Sequence, residues 1–78
     1  MSSETVSLDA LAPDAVGYVR EIQGGRGLVG RLAALGFTPG AEVRMVQNYG
    51  HGPLIVLVRD ARVALGRGEA RKILVSRR

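Results

Sequence analysis

Gly25-Arg26-Gly27-Leu28-Val29-Gly30 matches the G-x-G-x-x-G spacing that lets a backbone approach a dinucleotide pyrophosphate. That chemistry needs a strand before it and a crossover helix after it, long enough to return the chain to a parallel strand. Only about eight helical residues follow before Gly36 and Pro39-Gly40 turn the chain, so the glycines read as a sharp bend, with Gly27 as N-cap. His51 is the single histidine, set between Gly50 and Gly52-Pro53 in an expected hairpin tip. With no cysteine in the chain, one histidine can neither close a zinc site nor form a nucleophilic pair without partners from another chain, so His51 reads as a solvated loop residue, with an intermolecular metal or partner contact as the alternative. Asp9, Asp14, Glu21, Glu42, Asp60 and Glu69 show no motif spacing, and no Ser, Thr or Lys stands in a nucleophile elbow or phosphate loop. The sequence therefore predicts no enzyme, no cofactor and no metal site.

Charge and apolar side chains offer binding chemistry instead. Eleven Lys or Arg against seven Asp or Glu give a net charge of +4, and all but Lys72 of the cations are arginine. Such a balance favours acidic partners without naming one. Single-stranded nucleic acid is the competing ligand for a small basic barrel, but it needs aromatic platforms for base stacking. Tyr18 and Phe37 read as buried, which leaves Tyr49 alone in a loop. Arg31 falls on the flank of a Leu28, Leu32, Leu35 stripe, where it reads either as a brace for the core edge or as an ordered cation for an acidic partner.

These groups must be positioned by a short, tightly turned chain. Leu28, Leu32 and Leu35 fall on one face at about 100° per residue, predicting a two-turn amphipathic helix over 28–35. Gly36 stops it in the left-handed C′ conformation, Phe37 packs back, and Pro39-Gly40 fit a type II turn. Five strands are expected: Val16 to Ile22, Glu42 to Val46, Pro53 to Arg59, Arg62 to Leu65 and Lys72 to Ser76. Asp60-Ala61 serves as a hairpin loop, and Gly66 to Ala70 as a turn. If Leu54, Val56 and Val58 fill the interior, Ile55 and Leu57 point outward and mark a surface for self-association or a partner. Leu74 adds a similar second face.

The 78 residues make one small domain. Residues 1–6 read as a disordered N-terminal segment and residues 7–78 as the folded unit, with Ser7 capping a helical turn that turns Leu8 and Leu11 inward. Short strands interrupted by one helix predict a mainly β fold: a small antiparallel barrel whose closure removes its edges. No apolar run approaches a membrane span and residues 1–7 do not form a signal peptide, so the expected location is cytoplasmic.

Arg31-Leu32-x-x-Leu35-Gly36-Phe37-x-Pro39-Gly40-x-x-Val43 resembles the signature of the FeoA family, ferrous iron transport protein A. The likeness runs from Leu8-x-x-Leu11 through Gly52-Pro53-Leu54 to Val63-Ala64-Leu65 and Ala70-x-x-Ile73-x-Val75. It implies an SH3-like barrel that is not an enzyme and that assists the membrane ferrous iron permease, which carries a cytosolic GTPase-like domain. Contact with the membrane would come through that partner only, and self-association would be compatible with it. The same fold occurs as the C-terminal domain of iron-dependent repressors, so a detached regulator domain is one alternative and a single-strand nucleic-acid binder the other. Three positions depart from the family: Asp14 and Asp60 stand where glycine is common, and Gly30 where a basic residue is. The expected partner-binding residues are Arg26, Leu28, Arg31, Tyr49, Ile55 and Leu57.

Overall fold

The computed structural model describes residues 4–77. Six strands form one antiparallel sheet: β1 (Glu4–Ser7), β2 (Val16–Ile22), β3 (Glu42–Gln47), β4 (Leu54–Val58), β5 (Ala61–Leu65) and β6 (Ile73–Arg77). Their order is β1-β6-β2-β3-β4-β5. Two helices interrupt the strands, α1 (Arg26–Ala34) and the four-residue α2 (Arg67–Ala70), and a single 3-10 turn covers Leu8–Ala10. Every strand pair is antiparallel, including β2 with β3 on either side of α1. The parallel unit that a dinucleotide site requires is therefore missing from the described residues.

The sheet wraps around one core. Alternation along β4 sends Leu54, Val56 and Val58 inward, where they meet Val19, Val43, Met45, Leu65, Ile73 and Val75 from the other strands. Leu32 of α1, Phe37 beyond it, and Leu8 and Leu11 around the 3-10 turn plug the remaining sides. Each of these larger side chains contributes about 1.5–3 kcal/mol by leaving water. Two bulges, between Val19 and Glu21 and between Met45 and Gln47, sharpen the curl that a small barrel needs.

Several expectations change, among them the turn expected at Gly66 to Ala70, which is the second helix α2 in a chain expected to hold one. Residues 4–6 are not disordered: Glu4, Thr5 and Val6 pair with Arg77, Ser76 and Val75, partners about seventy positions away that no local pattern announces. The expectation for residues 1–3 lies outside the described residues. The ladder is not closed by hydrogen bonds, since β1 and β5 each pair with one neighbour among the described residues. Helix α1 begins earlier than its leucine stripe, with Gly25 and not Gly27 as N-cap. Leu35, the C-cap residue, is 44% exposed, so the buried part of the stripe ends at Leu32. The β4–β5 hairpin turns on Arg59-Asp60 in place of Asp60-Ala61: both residues have positive φ, 52° and 62°, the mark of a type I′ loop.

Other turns follow their residues closely. Gly36 has φ 111° and donates to the Ala33 carbonyl, while Phe37 donates to that of Leu32, closing α1 as its sequence requires. Gly40 has φ 87°, and Ala41 N donates to Thr38 O at 2.9 Å across the Pro39-Gly40 turn. The departures at Asp14 and Asp60 also acquire a physical meaning. Both occupy the left-handed region, Asp14 at φ 71°, where glycine would sit without a Cβ clash.

Candidate partner-binding site

Helix α1 presents different chemistry on different faces. Leu28 and Leu32 turn toward the core, Leu32 fully buried and Leu28 half-buried against it. Val29 and Ala33, four residues apart, share the adjacent stripe and face β2. Between them lies an apolar groove of about 110 Å³, completed by Val19 and Ile22 of β2 and by Phe37 and Pro39 after the helix. Glu21 and Thr38 are its polar contributors. The volume is comparable with the ~150 Å³ cavity that accepts a benzene ring.

Arg26 heads the same stripe, seven residues before Ala33, and is exposed with no ion pair or hydrogen bond among the described residues. Arg31 lies on the opposite flank and forms an ion pair with Glu69 of α2. Its guanidinium therefore braces the two helices, although the side chain remains 61% exposed. Of the two readings open to Arg31 from sequence, the geometry gives it the bracing contact. A further cation meets the other end of α1: the Arg59 stem lies over Gly36, where an added Cβ would be 3.1 Å from its Cδ. The left-handed turn that bends Arg59 back thus brings positive charge to a helix C-terminus, where it is favourable.

The other expected residues lie elsewhere. Tyr49 is 71% exposed in the loop after β3, beside His51, which is also exposed. Ile55 and Leu57 alternate outward on β4 and are half-buried. The six residues thus fall in three places: Arg26, Leu28 and Arg31 on α1, Tyr49 at the loop, Ile55 and Leu57 on the outer sheet face. Phe37 is buried and Tyr18 half-buried, so among the described residues Tyr49 is the one strongly exposed aromatic.

Sequence reasoning missed a polar clasp centred on Asn48. Asn48 Nδ2 donates to the Asp9 and Leu11 carbonyls at 3.0 and 2.9 Å. Its Oδ1 accepts from Gly50 N at 3.0 Å and from Arg67 Nη2 at 2.6 Å, while Arg67 Nε reaches Gly52 O at 3.1 Å. Four bonds on one amide join the 3-10 turn, the β3–β4 loop and α2. Arg71 adds a looser contact to Asp9 at 3.9 Å, and Ser7 Oγ donates to the same carboxylate in place of capping the turn. The spacing Asn48-x-Gly50 was the available signal, since an asparagine commonly bonds the backbone two residues on. Nothing local marks Arg67.

Among the described residues, no three His, Cys, Asp or Glu side chains are grouped to hold a metal ion. Among the same residues, no helix is long and apolar enough to cross a membrane.

Comparison with known proteins adds a family to this geometry. The FeoA domain model matches residues 6–77. A Methanocaldococcus jannaschii protein provisionally named Fe(2+) transport protein A is 35% identical over 57 residues, covering 73% of this chain and 68% of that protein. The crystal structure of an iron uptake regulatory protein, FeoA, superposes with a TM-score of 0.91 at 32% identity, over 96% of this chain and all of the other. Stenotrophomonas maltophilia FeoA in complex with zinc, described as a procaryotic SH3 domain protein, gives a TM-score of 0.80 at 35% identity, with 90% and 88% covered. A manganese-dependent transcriptional repressor shares the fold alone: its TM-score is 0.85 at 21% identity, and this chain spans 44% of it.

Proposed function

Because the chain belongs to the FeoA family, a domain of ferrous iron transport, we propose that it acts without catalysis as a cytoplasmic accessory factor that docks on the cytosolic GTPase-like part of the ferrous iron permease. The observation that carries the docking site is the groove between α1 and β2, with the unpaired Arg26 at the head of its stripe. An apolar side chain of the partner enters between Val29, Ala33 and Phe37, and a carboxylate meets Arg26. Arg31 and Arg59 serve this arrangement indirectly, by fixing α1 to α2 and to the β4–β5 hairpin.

Capture of the permease's soluble domain by the purified chain tests the reading. Ala33→Glu places a charge in the groove and Arg26→Glu reverses the cation at its head. Each is expected to weaken capture by roughly tenfold or more while the melting temperature stays within a few degrees, as for a surface change. Undiminished capture by both folded variants would refute the site. Loss of capture by Arg31→Glu alone, with no effect of the other two, would transfer the role to the flank that faces α2.

The nucleic-acid alternative gains nothing from the geometry. A single exposed aromatic offers no succession of platforms on which bases can stack. The repressor likeness extends to the fold and no further.

A further inference from the structure

The outer face of β3, β4 and β5 carries a row of side chains that the groove does not use. Strand register sets Arg44 of β3 directly beside Leu57 of β4, and Leu57 beside Arg62 of β5. Laterally paired residues in an antiparallel sheet point to the same face, so the row reads cation, apolar, cation. The next row is Gln47, Ile55 and Ala64, which extends the apolar strip under Leu57 without adding charge. Arg44 and Arg62 are exposed, and neither has an ion pair or a hydrogen bond among the described residues. Their isolation contrasts with Arg31, Arg71 and Arg77, each of which faces a carboxylate.

We propose that this face is a second docking surface, taking an acidic segment of a partner protein in which two carboxylates flank one apolar side chain. The spacing follows from the sheet. Arg44 and Arg62 stand two strands apart, about 9.5 Å at 4.7–4.9 Å per strand. Carboxylates seven residues apart on a helix are separated by about 10.5 Å along its axis, with an apolar residue midway on the same side. Such a helix laid across the three strands meets both guanidiniums and sets its apolar residue on Leu57 and Ile55. Arginine suits the task because its planar fork holds a carboxylate by two parallel bonds. Leu57, half-buried and set in register between the two arginines, gives the partner's apolar side chain a place to pack beside those bonds. A second copy of this chain is a poor occupant, since each copy brings a net charge of +4 to the contact. The surface shares no residue with the α1 groove and stands whether or not that reading survives.

The test uses the full chain and an amidated helical peptide of about fourteen residues, with glutamates seven apart and a leucine midway. Its control carries lysine at both glutamate positions. Amide shifts in a nitrogen–proton spectrum are expected along β3, β4 and β5, with affinity falling roughly tenfold in Arg44→Glu or Arg62→Glu and further in the double variant. The double variant should in turn bind the lysine peptide better than the glutamate one, an inversion that a merely structural role for the arginines would not produce. An unchanged melting temperature confirms that these exposed substitutions leave the fold intact; if one variant fails to fold, the salt dependence of the unmodified chain decides, through roughly tenfold weaker binding on raising the salt several-fold. Equal binding of the two peptides, or no shifts on β3–β5, overturns the proposal. So does sedimentation of the chain with phosphatidylglycerol vesicles through the same two arginines when the glutamate peptide does not bind, or concentration-dependent dimerisation lost in the double variant.

Discussion

Two regions of this small barrel use arginine in opposite ways. At the clasp, Arg67 is half-buried and both of its bonding nitrogens are satisfied, by Asn48 and by the Gly52 carbonyl. On α1 and the outer sheet face, Arg26, Arg44 and Arg62 are exposed and unpaired within the described residues. The same side chain is structural where the chain's own oxygens surround it, and available to another molecule where they do not. Net charge alone could not separate these roles.

The sharpest way to break the contrast is at its satisfied end. Asn48→Leu removes four hydrogen bonds and leaves the Asp9 and Leu11 carbonyls and Arg67 Nη2 without their partner, so a loss of about 2–4 kcal/mol in urea unfolding is expected. A loss below about 1 kcal/mol would show that water replaces the clasp readily. Next in size is Gly17→Ala in β2. A Cβ there would lie 2.9 Å from Val75 Cγ2 in the core, and overpacking should cost about 1–3 kcal/mol. Arg67→Met keeps the stem and removes the bonds, and is expected to cost about 1–2 kcal/mol, whereas Arg44→Met or Arg62→Met should change stability by less than about 0.5 kcal/mol. Thermal melts of the three variants side by side test the comparison directly. The smallest effect has the opposite sign: Asp60→Gly relieves a left-handed residue in the hairpin loop and should stabilise by roughly 0.5 kcal/mol, since the freer unfolded chain offsets part of the gain.

What the sequence revealed divides along the same line. The stop at Gly36, the Pro39-Gly40 turn and the outward setting of Ile55 and Leu57 are decided by residues within a few positions of one another, and all are present. Long-range events were not legible. Strand β1 has one strongly apolar residue, Val6, and owes its existence to β6 at the far end of the chain. Arg67 finds partners 15 and 19 residues away, across a loop whose path depends on the folded sheet. The groove was hidden for a similar reason: Val29 and Ala33 look like ordinary helix filler until β2 and Phe37 are brought beside them. Leu35 shows the converse error: helical periodicity puts it on the leucine stripe, yet the core does not reach past Leu32 to cover it.

The pairing of Glu4 with Arg77 has a consequence for how such a unit can be reused. Antiparallel partners lie about 4.5–5.5 Å apart at their Cα atoms, so the chain enters and leaves the domain through neighbouring positions. A host protein could carry the whole module within one of its surface loops without its own backbone being pried open, which makes the architecture geometrically suited to insertion as well as to life as a separate polypeptide.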